Sequence, residues 1–306
     1  MLKEGNPQKG ERNMKKGLWT KITAVALSFA LLSLTGCNNE EPEKETEIQE
    51  PEKIEVVHPL HSSIYGDPHY SNNVKGWENE MKNLGYTGIE IVHQTKDGTG
   101  FVVTTECEDA YEQMVNTYVI YETEGSVYIN KASEYSILEK YEVCEIDGNP
   151  ETEEIMLCFD YMGNGGAGNH ETQVWQFDNT MPWGMFSSDC DLGYASTLND
   201  GYEVVIDNIY TEYQTRINIK DNYESEYLFD ENGKPEGGWG AQFDGVYETV
   251  LEDVDNDGDD ELVCKSYSSV GSHANSLGDA VTTIDYNKDL MAFVVVDADF
   301  VEYDKE

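Results

Sequence analysis

An internal repeat limits the fold of this 306-residue chain more than any other feature of the sequence. One copy covers residues 145–178 and the other covers residues 253–286, at an offset of about 107 to 108 residues. In each copy an acidic loop leads into a glutamate and an apolar segment, then a turn with a histidine (His170, His273) and a second segment ending beside an aspartate. Self-similarity of this kind indicates that one supersecondary unit is used twice.

The body of the chain has the pattern of a strand-rich protein. Short segments rich in Val, Ile, Tyr and Thr are separated by Gly, Asn and Asp. They predict strands at 88–93, 100–105, 117–122, 126–130, 154–160, 172–177, 203–209, 215–219, 261–267, 280–286 and 291–297. Helical spacing of apolar residues predicts a helix over 74–84, and a second candidate covers 108–118. We expect a mainly β domain of short antiparallel strands, propeller-like or a blade array, with a small helical N-terminal portion; a β-sandwich is the alternative.

The second copy begins with a loop that has the composition of a calcium site. Residues 253–261 read DVDNDGDDE, so that acidic side chains stand at positions one, three and five. Gly258 permits a tight turn, the carbonyl of Asp259 can add a ligand, and Glu261 closes the set. Hard oxygen ligands at this spacing suit Ca²⁺. An EF-hand needs a glutamate at position twelve, where this chain has Cys264, so the loop is not an EF-hand.

A loop written DxDxDGxxE, whose final glutamate begins Glu-Leu-Val, resembles the FG-GAP/VCBS-type repeats of integrin-like β-propellers and bacterial surface proteins. The resemblance implies a structural Ca²⁺ between two strands of a blade. The ligands that it implies are Asp253, Asp255, Asp257, Asp259 and Glu261. In the first copy Glu145, Asp147 and Asn149 are possible ligands of a weaker second site, although Pro150 replaces the glycine and the loop is one residue longer.

The N-terminal segment predicts export and lipid anchoring. A basic stretch precedes the apolar run 22–34, which is too short to span a bilayer but has the length of a signal-peptide core. The following Leu-Thr-Gly-Cys resembles the bacterial lipobox, which implies a signal peptide over residues 1–36 and lipidation of Cys37. Residues 37–54 are charged and without aromatic residues, typical of a disordered tether, and residues 55–306 form the β domain. We therefore expect an extracytoplasmic protein anchored to the bacterial cell membrane through its lipid.

Charge excludes several classes of partner. The chain carries 19 basic and 61 acidic residues, and six of the basic residues lie within residues 1–36. An anionic body cannot replace counterions at phosphates, which excludes ordinary nucleic-acid binding. The segment 163–168 matches GxGxxG, but a strand-like segment follows it instead of a helix, so we expect no nucleotide site. The five remaining cysteines are an odd number without a CxxC pair, and we expect mostly buried thiols.

The sequence has no GxSxG, HExxH, SxxK or P-loop pattern, so enzymatic activity is uncertain and not favoured. Trp183 and Trp239 lie in or near Gly-rich segments and are candidates for stacking against a ligand. The leading hypothesis is a cell-surface lipoprotein whose Ca²⁺-stabilised β domain binds an extracellular protein or glycan. The alternative is a secreted hydrolase that acts on polysaccharide or cell wall through carboxylates that the sequence cannot single out.

Overall fold

The computed structural model describes residues 57–60, 64, 68–107, 113–162, 170–178, 181–222, 225–237 and 240–303. All of them belong to one compact unit, Ile54–Glu306. The expected signal peptide, the lipidated Cys37 and the tether lie outside the described residues. The Gly-rich segment 163–168 and Trp239 also lie outside them.

The described residues form a mainly β structure, which confirms the predicted fold class. The two helices are α1 (Trp77–Asn83) and α2 (Ser225–Leu228). The strands are β1 (His69–Asn72), β2 (Glu90–Gln94), β3 (Gly100–Glu106), β4 (Val115–Thr123), β5 (Ser126–Cys144), β6 (Glu153–Asp160), β7 (His170–Phe177), β8 (Pro182–Ser187), β9 (Tyr194–Asn199), β10 (Glu203–Asn208), β11 (Tyr213–Asn218), β12 (Ala241–Glu252), β13 (Glu261–Val270), β14 (Ser272–Asn287) and β15 (Ala292–Glu302). They make three sheets, in the orders β2 to β8, β11-β10-β9 and β12 to β15, and β1 pairs with β5; none closes into a barrel.

The two sequence repeats form equivalent antiparallel arrangements. In the first copy β5, β6, β7 and β8 follow one another in space as in the chain, and in the second copy β12, β13, β14 and β15 do the same. The register matches at the start of each central strand: Ile155 faces Trp175, and Leu262 faces Ile284. Each acidic loop therefore connects the first two strands of a four-stranded meander.

Strand β5 belongs to two parts of the first sheet. Its first half, up to Ser136, pairs with β4, and its second half, from Ile137, pairs with β6. Tyr135 at the junction has a φ of 53°, an uncommon value for a non-glycine residue that lets the strand change direction. The sequence predicts only residues 126–130 as a strand, because the polar and charged residues that follow hide the continuation.

Buried apolar side chains from the two meanders share one core. Met156, Val174 and Phe186 from the first copy pack in the same cluster as Leu262 and Phe293 from the second. The rings of Phe186 and Phe293 lie 5.0 Å apart between centroids, and the hydroxyls of Thr172 and Thr249 are 2.8 Å apart. The two acidic loops are consequently held at fixed positions relative to each other.

Two sequence predictions differ from the structure. The helix candidate over 108–118 is wrong where the structure describes it, because Val115 begins β4. Strands β1, β8, β9 and β12 are absent from the prediction: β8 contains Pro182 and Gly184, and β12 contains an Asp-Gly pair, which are turn signals in a single sequence. Among the described helices, none is long and apolar enough to cross a membrane.

Candidate metal centre

The loop 253–260 runs from the end of β12 to the start of β13. Its turn depends on two residues with positive φ, Asn256 at 66° and Gly258 at 105°. No atom lies within 4 Å of a Cβ placed on Gly258, so the backbone angle, not a lack of space, makes glycine suitable there. The predicted role of Gly258 in the turn is thus visible in the backbone.

Three carboxylates of this loop converge. Asp253, Asp255 and Glu261 each offer an oxygen, and these oxygens lie within 4.8 Å of one another. Because Ca–O distances are about 2.3–2.6 Å, two oxygens on one ion are at most about 5 Å apart. The spacing therefore lets one Ca²⁺ contact all three groups. Asp253 and Asp255 are exposed, whereas Glu261 is only 3% exposed.

Burial and neighbouring charge act together on this cluster. Burial raises the pKa of Glu261, and the carboxylates of Asp255 and Asp285 raise it further. Burial likewise raises the pKa of Asp285, with additional repulsion from the aspartates of the loop. Asp285 lies on β14, and the sequence analysis does not identify it. A cation at this position would relieve the repulsion among these groups.

Asp257 and Asp259, the other two ligands implied by the resemblance, have different contacts. The backbone N–H of Asp259 donates to Oδ1 of Asp257 at 3.2 Å. The carboxylate of Asp259 is buried and lies 2.8 Å from Nζ of Lys288, an interaction that raises the pKa of that lysine. Asp259 therefore has a cationic partner from the protein, and its side chain is less available to a metal ion.

The first repeat has a corresponding cluster. Glu145, Asp147 and Glu154 offer oxygens within 4.8 Å of one another. The sequence prediction names Glu145, Asp147 and Asn149, but the side chain of Asn149 accepts the N–H of Glu151 at 3.2 Å. Glu154 takes the third place in the cluster. It lies at the start of β6 as Glu261 lies at the start of β13, so aligning the two copies on this glutamate is the signal that could have identified it.

The two loops contact each other directly. The N–H of Glu145 donates to Oδ2 of Asp260 at 3.0 Å, and the N–H of Asp260 donates to the carbonyl oxygen of Glu145. Gly148 lies against Lys288, since a Cβ on this glycine would come within 2.5 Å of Nζ. The lysine that neutralises Asp259 thus lies beside the first loop as well.

A cleft of about 960 Å³ receives side chains from both repeats. The lining side chains include Glu139, His170, Tyr247, Tyr267, His273 and Tyr303. Each histidine faces a carboxylate: His170 lies 3.2 Å from Glu139, and His273 lies 2.6 Å from Asp244. Burial raises the pKa of Tyr247 to about 12, with a further contribution from Asp279, so its hydroxyl stays protonated at neutral pH.

The two histidines do not occupy equivalent positions in the repeat. Glu154 and Glu261 align, which puts Asp160 and Tyr267 at the same place six residues later. The strand partner of Asp160 is His170, whereas the partner of Tyr267 is Asp279. The histidines reach one cleft from different positions.

The candidate stacking aromatics are only partly described. Trp183 lies on β8 opposite Gln176 and is 50% exposed, so its ring is available at the surface. It does not line the cleft described above. The cysteines 107, 144, 158, 190 and 264 are all free thiols in this structure.

A family model described as the YybI C-terminal domain matches residues 192–300, about a third of the chain. The match contains the acidic loop of the second repeat and leaves the first repeat outside. No curated protein matches the chain. A solved structure of a GDP-Man-dependent mannosyltransferase from Leishmania mexicana is similar at 12% identity over 74% of this chain and 76% of that chain, with a TM-score of 0.21.

Proposed function

We propose that this chain is a cell-surface lipoprotein whose Ca²⁺-stabilised β domain binds an extracellular protein or glycan and is not an enzyme. The lipobox-like sequence before Cys37 and the acidic tether support its place outside the membrane. The carboxylates of Asp253, Asp255 and Glu261 support a Ca²⁺ ion in the loop.

One observation carries the proposal: a single sheet has the acidic loop at one end and the cleft at the other. Glu261 begins β13 and belongs to the carboxylate cluster, and Tyr267 of the same strand lines the cleft. Six residues of strand separate them, which is about 20 Å. A cation that removes repulsion at the start of β13 would stabilise the sheet that forms the cleft wall. The metal would be structural, and the cleft would bind the ligand.

The chemistry of the cleft favours a glycan over a protein. Ligand sites are typically lined by aromatic side chains with a few polar groups that fix orientation. The cleft combines the rings of Tyr247, Tyr267 and Tyr303 with two histidines and Glu139. Aromatic faces pack against the C–H faces of sugar rings, while hydroxyl and imidazole groups can exchange hydrogen bonds with sugar hydroxyls.

Binding to a panel of immobilised oligosaccharides tests the proposal. We expect at least one oligosaccharide to bind the full-length chain in Ca²⁺ and to bind Tyr267→Ala at least tenfold more weakly. Tyr267→Phe should retain binding if ring stacking dominates. Tyr141→Ala is the matched control, because Tyr141 is exposed on β5 and outside the cleft.

Release of reducing sugar by the wild-type chain would contradict the non-enzymatic proposal and favour the hydrolase alternative. Binding that is unchanged in Tyr267→Ala would exclude the cleft as the glycan site. If no oligosaccharide binds, a glycan ligand is not supported and a protein partner is the remaining form of the proposal.

A further inference from the structure

We propose that the first repeat holds a second divalent cation, bound by Glu145, Asp147 and Glu154. The inference goes beyond the proposed function, because it concerns a loop that the Ca²⁺ site of the second repeat does not include. With this second ion, each of the two neighbouring acidic loops would hold a cation. The ligand class is a divalent cation that prefers oxygen, such as Ca²⁺.

Glu154 is a buried carboxylate with one unpaired oxygen. This glutamate is fully buried, with 0% of its surface exposed. Its Oε1 accepts a hydrogen bond from Nε2 of Gln176 at 3.0 Å, but its Oε2 is buried and has no hydrogen-bond partner. Buried carboxylates without a compensating partner are costly, so a native protein supplies a cation, a donor or a proton.

A second carboxylate of the cluster, that of Glu145, also has a buried oxygen that lacks a partner. Oε1 of Glu145 is also buried and without a hydrogen-bond partner. Nε2 of Gln176 donates to Asp147 Oδ2 at 2.6 Å as well as to Glu154, so it orients two of the three carboxylates. A Ca²⁺ ion takes six to eight oxygen ligands, so one ion could contact the unpaired oxygens of both glutamates.

Among the described residues around the cluster, no basic side chain neutralises the three carboxylates. Lys288 lies beside the loop at Gly148, but its ammonium pairs with Asp259 of the second loop at 2.8 Å. Tyr286, whose pKa is raised by burial and then by the charges of Asp147 and Glu154, can offer only a hydroxyl. The negative charge of the three carboxylates therefore has no counter-charge from the described protein.

The two repeats each have a cluster of three carboxylates at matching positions. Glu145, Asp147 and Glu154 correspond to Asp253, Asp255 and Glu261 when the copies are aligned, with the one-residue insertion falling inside the loop. The same three positions converge in both copies although the first loop has Pro150 and a different turn. The buried glutamate at the start of the central strand is common to both clusters.

Counting bound ions tests the inference. Equilibrium dialysis of the full-length chain against about 5 mM ⁴⁵Ca²⁺, above the affinity expected of an extracellular module, should find two ions per chain. Glu154→Gln and Asp255→Asn should each bind one ion, and the double variant none. Glu151→Gln, an exposed residue of the same loop, should keep both ions.

Any other number of bound ions would overturn part or all of the inference. One ion in the wild type, lost in Asp255→Asn and kept in Glu154→Gln, would overturn the second site and leave the first intact. Two ions in Glu154→Gln would overturn the assignment of Glu154. No bound ion in the wild type would overturn both sites. If circular dichroism shows that Glu154→Gln does not fold, Asp147→Asn, which changes a less buried member of the cluster, makes the same test.

Discussion

At the scale of single residues, buried carboxylates differ in how the fold compensates their charge. Glu80 on α1 is 8% exposed, and its Oε1 has two partners: the hydroxyl of Ser71 donates to it, and Nε2 of His69 lies 2.8 Å away. These bonds, that of Ser71 first, lower the pKa of Glu80. Glu154 is more deeply buried, with 0% of its surface exposed, and its Oε2 has no hydrogen-bond partner. The contrast is what identifies Glu154 as a ligand and Glu80 as a structural anion.

The lowered pKa of Glu80 predicts a pH-dependent contribution to stability. Because its pKa is lower in the folded than in the unfolded state, the ionised group stabilises the fold above the unfolded value, and this stabilisation is lost as pH falls through the folded value. Glu80→Gln should therefore lower the urea midpoint at pH 7, and the difference from wild type should shrink below about pH 4. Unfolding in urea with chelator present, at several pH values, measures this.

Glu78→Gln is the control for that experiment. Glu78 is exposed on the same helix and lies 3.7 Å from Lys82, a surface pair of small energetic value. Its midpoint should stay within error of wild type at every pH. A pH-independent difference for Glu80→Gln would show that the charge of Glu80 is not what stabilises the helix.

The sequence predicts some residues of the candidate metal centre but not all of them. Asp253, Asp255 and Glu261 follow from local spacing along the chain, because a tight turn brings alternate side chains together. Asp285 and Lys288 join the site from β14 and the turn after it, and a single sequence contains no signal for contacts over such separations. Asp259 is expected as a ligand through its carbonyl and from the resemblance, and the sequence contains no signal that Lys288 lies next to its carboxylate.

At the scale of elements, β14 shows how closely neighbouring strands approach. Gly278 pairs with Ser268 on one side and Glu302 on the other. A Cβ at this position would lie 2.2 Å from the carbonyl oxygen of Val301, a backbone atom that cannot move without disturbing the pairing of β14 with β15. The glycine therefore allows β15 to follow β14 through this region.

Gly278→Ala should destabilise the protein, by about 1–3 kcal/mol as for other overpacking substitutions. Gly245→Ala on β12 is the matched change, because no atom lies within 4 Å of its Cβ position; it should leave stability unchanged or raise it by up to about 1 kcal/mol. Urea unfolding free energies of both variants measure the difference. Equal effects at the two positions would contradict the close approach of β14 and β15.

Element prediction succeeded where segments were apolar and β-branched, as in β3, β6 and β13. It failed for β8 and β12, whose Gly and Pro residues are accommodated at irregular positions of the sheets. The pairing of β7 with β8 shifts register between Val174 and Trp175, next to Gly184, and β12 has two register shifts between Phe243 and Glu248. Tertiary pairing thus overrides local turn signals there.

At the scale of the whole molecule, the repeat explains why the two acidic loops lie together. The two meanders share a core around Phe186 and Phe293, and this packing brings Glu145 of one loop into hydrogen-bond contact with Asp260 of the other. The sequence predicts that there are two copies but not how they pack. The paired arrangement places the two carboxylate clusters in neighbouring loops.

Thermal unfolding of the full-length chain tests the central claim, that the loop 253–261 binds Ca²⁺ and stabilises the domain. At 10 to 100 times the dissociation constant, one site should contribute about 1.4–2.7 kcal/mol. For a domain of this size that raises Tm by about 3–10 °C in Ca²⁺ relative to chelator at matched ionic strength. Asp255→Asn should show a clearly smaller rise, and Asp200→Asn, an exposed aspartate elsewhere, the full rise. No rise in the wild type, or an undiminished rise in Asp255→Asn, would contradict the account.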